Sequence, residues 1–335
     1  MVDALSTRER AAAVLMATVP TTDPGEAARF VAEHRLGGLI LMPSNIATPE
    51  QLAALTAAIT SGVDPPPLIA TDQEGGFVSR LAWDPTPGPE TLRTLEPDEV
   101  RQAYDVRADV LAAAGVTVNF GIVADVAPDA SGFMHARQLG LGFDDAAARV
   151  AAAVTGERSS GLVASTLKHF PGHGAAPGDS HTTVPTAELT MDDWRATHAQ
   201  PFIAGIAAGA DLLMFGHLTF PAVDPAPATL SPSWHGIARE ALGFTGVIVS
   251  DDLGMLLDSG RPEFADLPTV TVAALAAGTD LALLVRANSD DTVAAVIDGV
   301  AAAADAGSLP AERLREAAVR VTELRLRFAE AALRD

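Results

Sequence analysis

Short, nearly uninterrupted apolar runs recur along the chain, separated by longer stretches whose apolar positions repeat at helical spacing. The runs Val14–Val19, Gly38–Met42, Leu68–Asp72, Thr117–Gly121, Val163–Lys168, Leu212–Gly216, Val247–Asp251 and Asp280–Val285 read as eight strands. Each is too short for a buried helix, and Gly or Pro often flanks it. Amphipathic helices are predicted over Glu26–His34, Pro49–Ser61, Pro97–Ala114, Asp144–Ser160, Met191–Ala208, Pro232–Leu242, Leu267–Ala277 and Asp290–Ala304. A last helix, Pro310–Arg334, closes the chain, with Pro310 suited to its first turn.

Strict strand–helix alternation with continuous apolar strands predicts an α/β fold, a single (β/α)8 TIM-type barrel. A doubly wound open sheet is the alternative, and loop lengths favour the barrel. Helix-to-strand links are short and carry Gly near the helix end, as at Gly115, Gly161, Gly209 and Gly278. Strand-to-helix links are long and rich in Pro and Gly, notably 73–96, 122–143, 169–190 and 252–266. Long loops on one face mark that face as the functional one. No linker divides the chain, so residues 1–335 are expected to form one barrel domain with the helix 310–334 at its end.

Composition narrows the chemistry. The chain has no Cys, which removes disulfides, thiolate metal sites and thiol nucleophiles. A formal net charge of −21 argues against nucleic acid or an anionic membrane as partner. The N-terminal segment lacks a signal-peptide core and no segment reads as a membrane span, so a cytoplasmic protein is expected, and a monomer. Lys168 is the only lysine; every other basic residue is Arg. An ammonium kept at the end of a predicted strand supplies a compact point charge that a guanidinium cannot mimic.

Lys168-His169-Phe170-Pro171-Gly172-His173-Gly174 is followed closely by Asp179-Ser180-His181. Pro171 and Gly172 separate His169 from His173, so a helical metal pair is not expected, and no metal or cofactor is assigned. His173 reads as structural. Asp179 and His181 can place a carboxylate beside an imidazole, making a proton shuttle near neutral pH. Asp251 and Asp252 end another strand, where alternation lets only one face the mouth of the barrel. Asp251 reads as nucleophile or ligand contact, and Asp252 as a cap or loop salt bridge. After Leu68–Asp72, Asp72 suits paired hydroxyls, Arg80 either holds it or meets substrate, and Glu74 reads as a carboxylate bonding loop N–H groups. Asp72, Lys168, His169, His217 and Asp251 are expected to converge at the C-terminal strand ends.

The Lys168–Gly174 string with Asp179-Ser180-His181, Ser250-Asp251-Asp252-Leu253 and Asp72-Gln73-Glu74-Gly75-Gly76 resembles glycoside hydrolase family 3, in its single-domain β-N-acetylglucosaminidase branch. The resemblance runs from about Gly37 to Met255. It implies Asp251 as nucleophile and His181 as acid/base oriented by Asp179. It further implies that Asp72, Lys168 and His169 bind the terminal sugar. Arg137 matches a family Arg, although Arg137-Gln138-Leu139-Gly140 departs from the family's Arg-Ser-Phe-Gly. The family's Gln-Glu-Gly-Gly-Arg-Val-x-Arg here has Phe77 in place of its first Arg and keeps Arg80.

The implied activity is retaining removal of terminal β-linked N-acetylglucosamine through a glycosyl-aspartate, from peptidoglycan fragments in cell-wall recycling. The expected partner is accordingly a small saccharide or muropeptide. Alternatives on the same residues are a β-glucosidase, a phosphorylase or a saccharide-binding barrel without turnover. The phosphorylase stays open because a neutral imidazole does not repel an incoming phosphate as a carboxylate does. Three Trp and one Tyr offer few stacking platforms, which favours a short saccharide end over a polymer cleft.

Overall fold

The computed structural model describes residues 1–128, 133–180, 182–286 and 288–332. Strands β1 (Leu15–Ala17), β2 (Gly38–Leu41), β3 (Leu68–Thr71), β4 (Val118–Val123), β5 (Ala164–Phe170), β6 (Leu212–Phe215), β7 (Val247–Ser250) and β8 (Ala282–Leu284) run parallel in one sheet. The order follows the chain, with β8 returning to β1. Between β7 and β8 the ladder is short but bonded: Ser250 N donates to Leu281 O at 3.1 Å, and Leu283 N donates to the Ser250 hydroxyl at 2.9 Å. These bonds close the sheet into a (β/α)8 TIM-type barrel.

Both faces of every barrel strand are buried, which is why the strands read as unbroken apolar runs. Met16, Ile40, Ala70, Phe120, Met214 and Val249 belong to a cluster that fills the lumen. Their neighbours Leu15, Leu39, Leu41 and Ile69 pack outward with the helices. The helix Ala311–Ala332 seals the lower end, adding Val321, Leu324 and Phe328 to the lumen cluster. Arginines hold it there: Arg313 and Arg320 pair with the buried Asp280, and Arg327 pairs with Asp211 at 2.7 Å. The Arg334 end of the predicted helix lies outside the described residues.

Several elements differ from the sequence expectation, among them short helices Pro89–Leu92 and Gly254–Asp258 within segments read as loops and an antiparallel pair of Thr219–Phe220 with Asp224–Pro227. The predicted helix Met191–Ala208 is two helices, Met191–Ala196 and Ala199–Ala207. Pro201 lacks an N–H and crowds the preceding turn, so it is accommodated only near a helix start. Pro232–Leu242 begins as α-helix and continues as a π-turn over Ile237–Ala241. A helix Thr7–Ala13 precedes β1, capped reciprocally by Ser6 and Glu9, and the apolar reading of that segment overlooked it. No described helix is long and apolar enough to cross a membrane.

Candidate active site

The lumen register itself sets the site. Side chains alternate along a strand, so counting two residues on from lumen-facing Ala70, Thr166 and Val249 reaches Asp72, Lys168 and Asp251. All three line a cavity of about 420 Å³ at the C-terminal end of the barrel, with Arg80, Arg137 and His169. Ile40, Met214 and Leu283 are also among its lining residues, so the apolar lumen forms the cavity floor.

The charged groups are tightly paired. Lys168 Nζ donates to Asp72 Oδ1 at 2.9 Å and lies 2.7 Å from Glu74 Oε1. Arg137 grips Glu74 with two bonds, from Nε at 2.9 Å and Nη2 at 2.7 Å. Arg80 reaches Asp72 at 3.5 Å, and its buried Nε has no hydrogen-bond partner among the described residues. Glu74 is therefore not bonding loop N–H groups as the sequence reading had it. It is the shared counter-ion of two buried cations, Lys168 and Arg137. Burial by itself raises the Glu74 pKa, but Lys168 and Arg137 overcome this and hold it at about 2. Burial likewise opposes the charge on Lys168, yet Asp72 and Glu74 leave its pKa above the ordinary value.

Glu74→Gln keeps the shape and removes the charge, leaving Lys168 with Asp72 alone and Arg137 without its carboxylate. Removing one partner of a buried pair typically costs about 3 kcal/mol or more. A clear fall in Tm by calorimetry is the expected result; an unchanged Tm would show that these pairs contribute nothing net.

Asp251 sits opposite this cluster. Its Oδ1 accepts from Asp252 N at 2.8 Å, while Oδ2 lies 4.0 Å from His169 Nε2. Asp125 fixes that imidazole: its Oδ2 meets His169 Nδ1 at 2.7 Å and accepts from His169 N at 3.1 Å. Nε2 is thereby left to face Asp251. Burial pushes the Asp251 pKa up, but His169, His217, the Asp252 N–H and Lys168 bring it down to about 2. The neighbouring Asp252 behaves oppositely. Burial raises it to about 6 against the backbone N–H groups of Gly254 and Val285, with the Asp251 charge adding to the rise. Its Oδ1 accepts those two bonds at 3.0 and 2.9 Å, so Asp252 ties the loop after β7 to the end of β8.

His217 does not enter the cavity lining. It is fully buried between Thr229 and the Asp252 carbonyl, each 2.9 Å away, and acts on Asp251 through its proximity. His173 lines the wall, with Nε2 2.9 Å from the Ser180 hydroxyl. Asp179 lines a neighbouring cavity formed with residues 173–178. His181 lies outside the described residues. Asp125, overlooked in the sequence reading, carried the same signal as the others, a carboxylate just past an apolar strand. Among the described residues no group of three His, Asp or Glu is arranged to hold a metal ion.

The model of the glycosyl hydrolase family 3 N-terminal domain matches residues 6–324. The chain belongs to glycoside hydrolase family 3. This family 3 glycoside hydrolase is 34% identical over 280 residues to a β-hexosaminidase of Stenotrophomonas maltophilia, an alignment covering 81% of this chain and 82% of that one. It is 35% identical over 276 residues to a β-hexosaminidase of Pseudomonas aeruginosa, covering 80% and 81%. Among solved structures, a family 3 β-N-acetylglucosaminidase from Paenibacillus superposes with a TM-score of 0.91 at 32% identity, over 97% of this chain. The hydrolase spans 63% of that longer Paenibacillus chain. A family 3 glycosyl hydrolase from Mycobacterium smegmatis superposes with a TM-score of 0.84 at 29% identity, covering 97% of this chain and 98% of the other.

Proposed function

We propose that this family 3 hydrolase is a retaining exo-β-N-acetylglucosaminidase that releases terminal β-linked N-acetylglucosamine through a glycosyl-aspartate. The observation that carries the reading is the difference between two adjacent acids. Asp251 is held ionised in the cavity, whereas Asp252 is bonded into the loop. Asp251 Oδ2 attacks the anomeric carbon while His181, oriented by Asp179, protonates the departing oxygen. His181 then takes a proton from water, which attacks the anomeric carbon and frees Asp251. Asp72, Lys168, His169, Arg80 and Arg137 hold the sugar hydroxyls and the 2-substituent, and the unpartnered Arg80 Nε is a ready donor for it. The names of the relatives support N-acetylglucosamine over glucose. The apolar floor supports attack at a chain end, since it leaves no exit through the barrel.

Short peptidoglycan fragments are the proposed source of these ends, handled by a cytoplasmic monomer. Water is the proposed acceptor. Lys168, Arg137 and Arg80 each already face a carboxylate, which leaves little positive charge for a phosphate.

A 5-fluoro-N-acetylglucosaminyl fluoride slows the second step and should trap the intermediate. The expected outcome is one sugar adduct on the peptide containing Asp251, located there by fragmentation. Label on Asp252, or rapid turnover releasing the α-anomer, would overturn the proposal.

A further inference from the structure

Phe77 is the most exposed large apolar side chain described, at 74%, and the one aromatic ring among the exposed ones. The turn that carries it is built to present it. Gly75 and Gly76 adopt φ of +82° and +61°, and Glu74 N closes the turn on Val78 O at 3.0 Å. A side chain at Gly75 would also strike Arg107 Nη2, 2.5 Å from its Cβ position. Phe77 meets Phe133 edge to face at 6.3 Å between centroids. Phe133 in turn lies under the Arg137 guanidinium, 4.7 Å from its ring centre. The aromatic pair is thus fastened to the Glu74–Arg137 pair beside the sugar cavity.

Its position gives it a direction. Phe133 lines the catalytic cavity and also the adjoining cavity of about 490 Å³ that reaches Asp179. Asp179, which orients the acid in the proposed reading, lies on that side, so under that reading the leaving group departs there. Resting on the proposed glycosidase reading, we propose that Phe77 and Phe133 form a one-ring leaving-group subsite that stacks on the C–H face of a pyranose. An aromatic face carries partial negative charge and suits the weakly positive C–H groups of a sugar ring. An exposed ring also lets a product leave readily. The Trp side chains cannot extend the platform: Trp194 and Trp234 are fully buried and Trp83 packs on the core.

The test compares Phe77→Ala and Phe77→Tyr with the parent on three substrates. They are N-acetylglucosaminyl-β-1,4-N-acetylglucosamine, its 1,6-anhydro-N-acetylmuramic acid counterpart, and β-N-acetylglucosaminyl fluoride, whose leaving group has no ring. Phe77→Ala should lower kcat/KM on the disaccharides by about 3- to 10-fold, the scale of one aromatic contact. Phe77→Tyr should restore it, and the fluoride should be unaffected. Loss on both disaccharides makes any pyranose a ligand; loss on one identifies its source. An equal loss on the fluoride, or no loss on either disaccharide, overturns the subsite and leaves the glycosidase reading standing. Failure of the parent protein to cleave the fluoride removes both.

Discussion

Asp251→Ala should lower turnover by more than about 10⁴-fold and leave the barrel folded, because a methyl group cannot attack the anomeric carbon. The carboxylate is poised for that role by its surroundings. His169, His217 and Lys168 counter the effect of burial and hold its pKa at about 2. Since this pKa lies below the ordinary 3.8, the stability that Asp251 contributes is present above that value and is lost as pH falls toward about 2. The carboxylate is therefore charged throughout the working range. An acid limb of kcat/KM above pH 4 must belong to another group. Azide should enter the space vacated in the Ala variant and give the α-glycosyl azide from a β-glycoside. Circular dichroism and Tm report whether the fold survives. Turnover within tenfold of the parent would remove Asp251 from the mechanism.

His181→Ala should show the second large effect, and a selective one. A general acid contributes about 10²–10⁴-fold where the leaving oxygen is basic, and little where the leaving group departs as a stable anion. Disaccharides should lose activity by that factor, while a dinitrophenyl glycoside should keep most of its first-step rate. Asp179→Ala should repeat the pattern more mildly, since it removes the orienting carboxylate and keeps the imidazole. A uniform loss over all leaving groups would assign His181 a structural role.

The barrel was legible because each strand is buried on both faces. Leu15, Leu39 and Ile69 turn outward while Met16, Ile40 and Ala70 turn inward, and both faces demand apolar side chains. The Gly and Pro residues between these runs then mark their ends without reference to any distant part of the chain. Helix continuity was less legible. The break between Ala196 and Ala199 depends on one proline competing with an otherwise strong helical pattern.

Asp72, Lys168 and Asp251 were visible as charged residues ending apolar runs, and the capping role expected of Asp252, with the family resemblance, chose Asp251 between the adjacent aspartates. Asp125 and Glu74 carried the same local signal but no indication of which partners they would meet. Glu74 lies 94 positions before Lys168 and 63 before Arg137, and only the side-by-side pairing of β3, β4 and β5 brings the three within hydrogen-bond reach. Local periodicity thus determined the strands and the level of the site. The pairing of the buried charges, the separate pKa values of the adjacent aspartates and the Phe77–Phe133 contact were decided by tertiary structure, because each depends on distances between loops that the chain joins only through space.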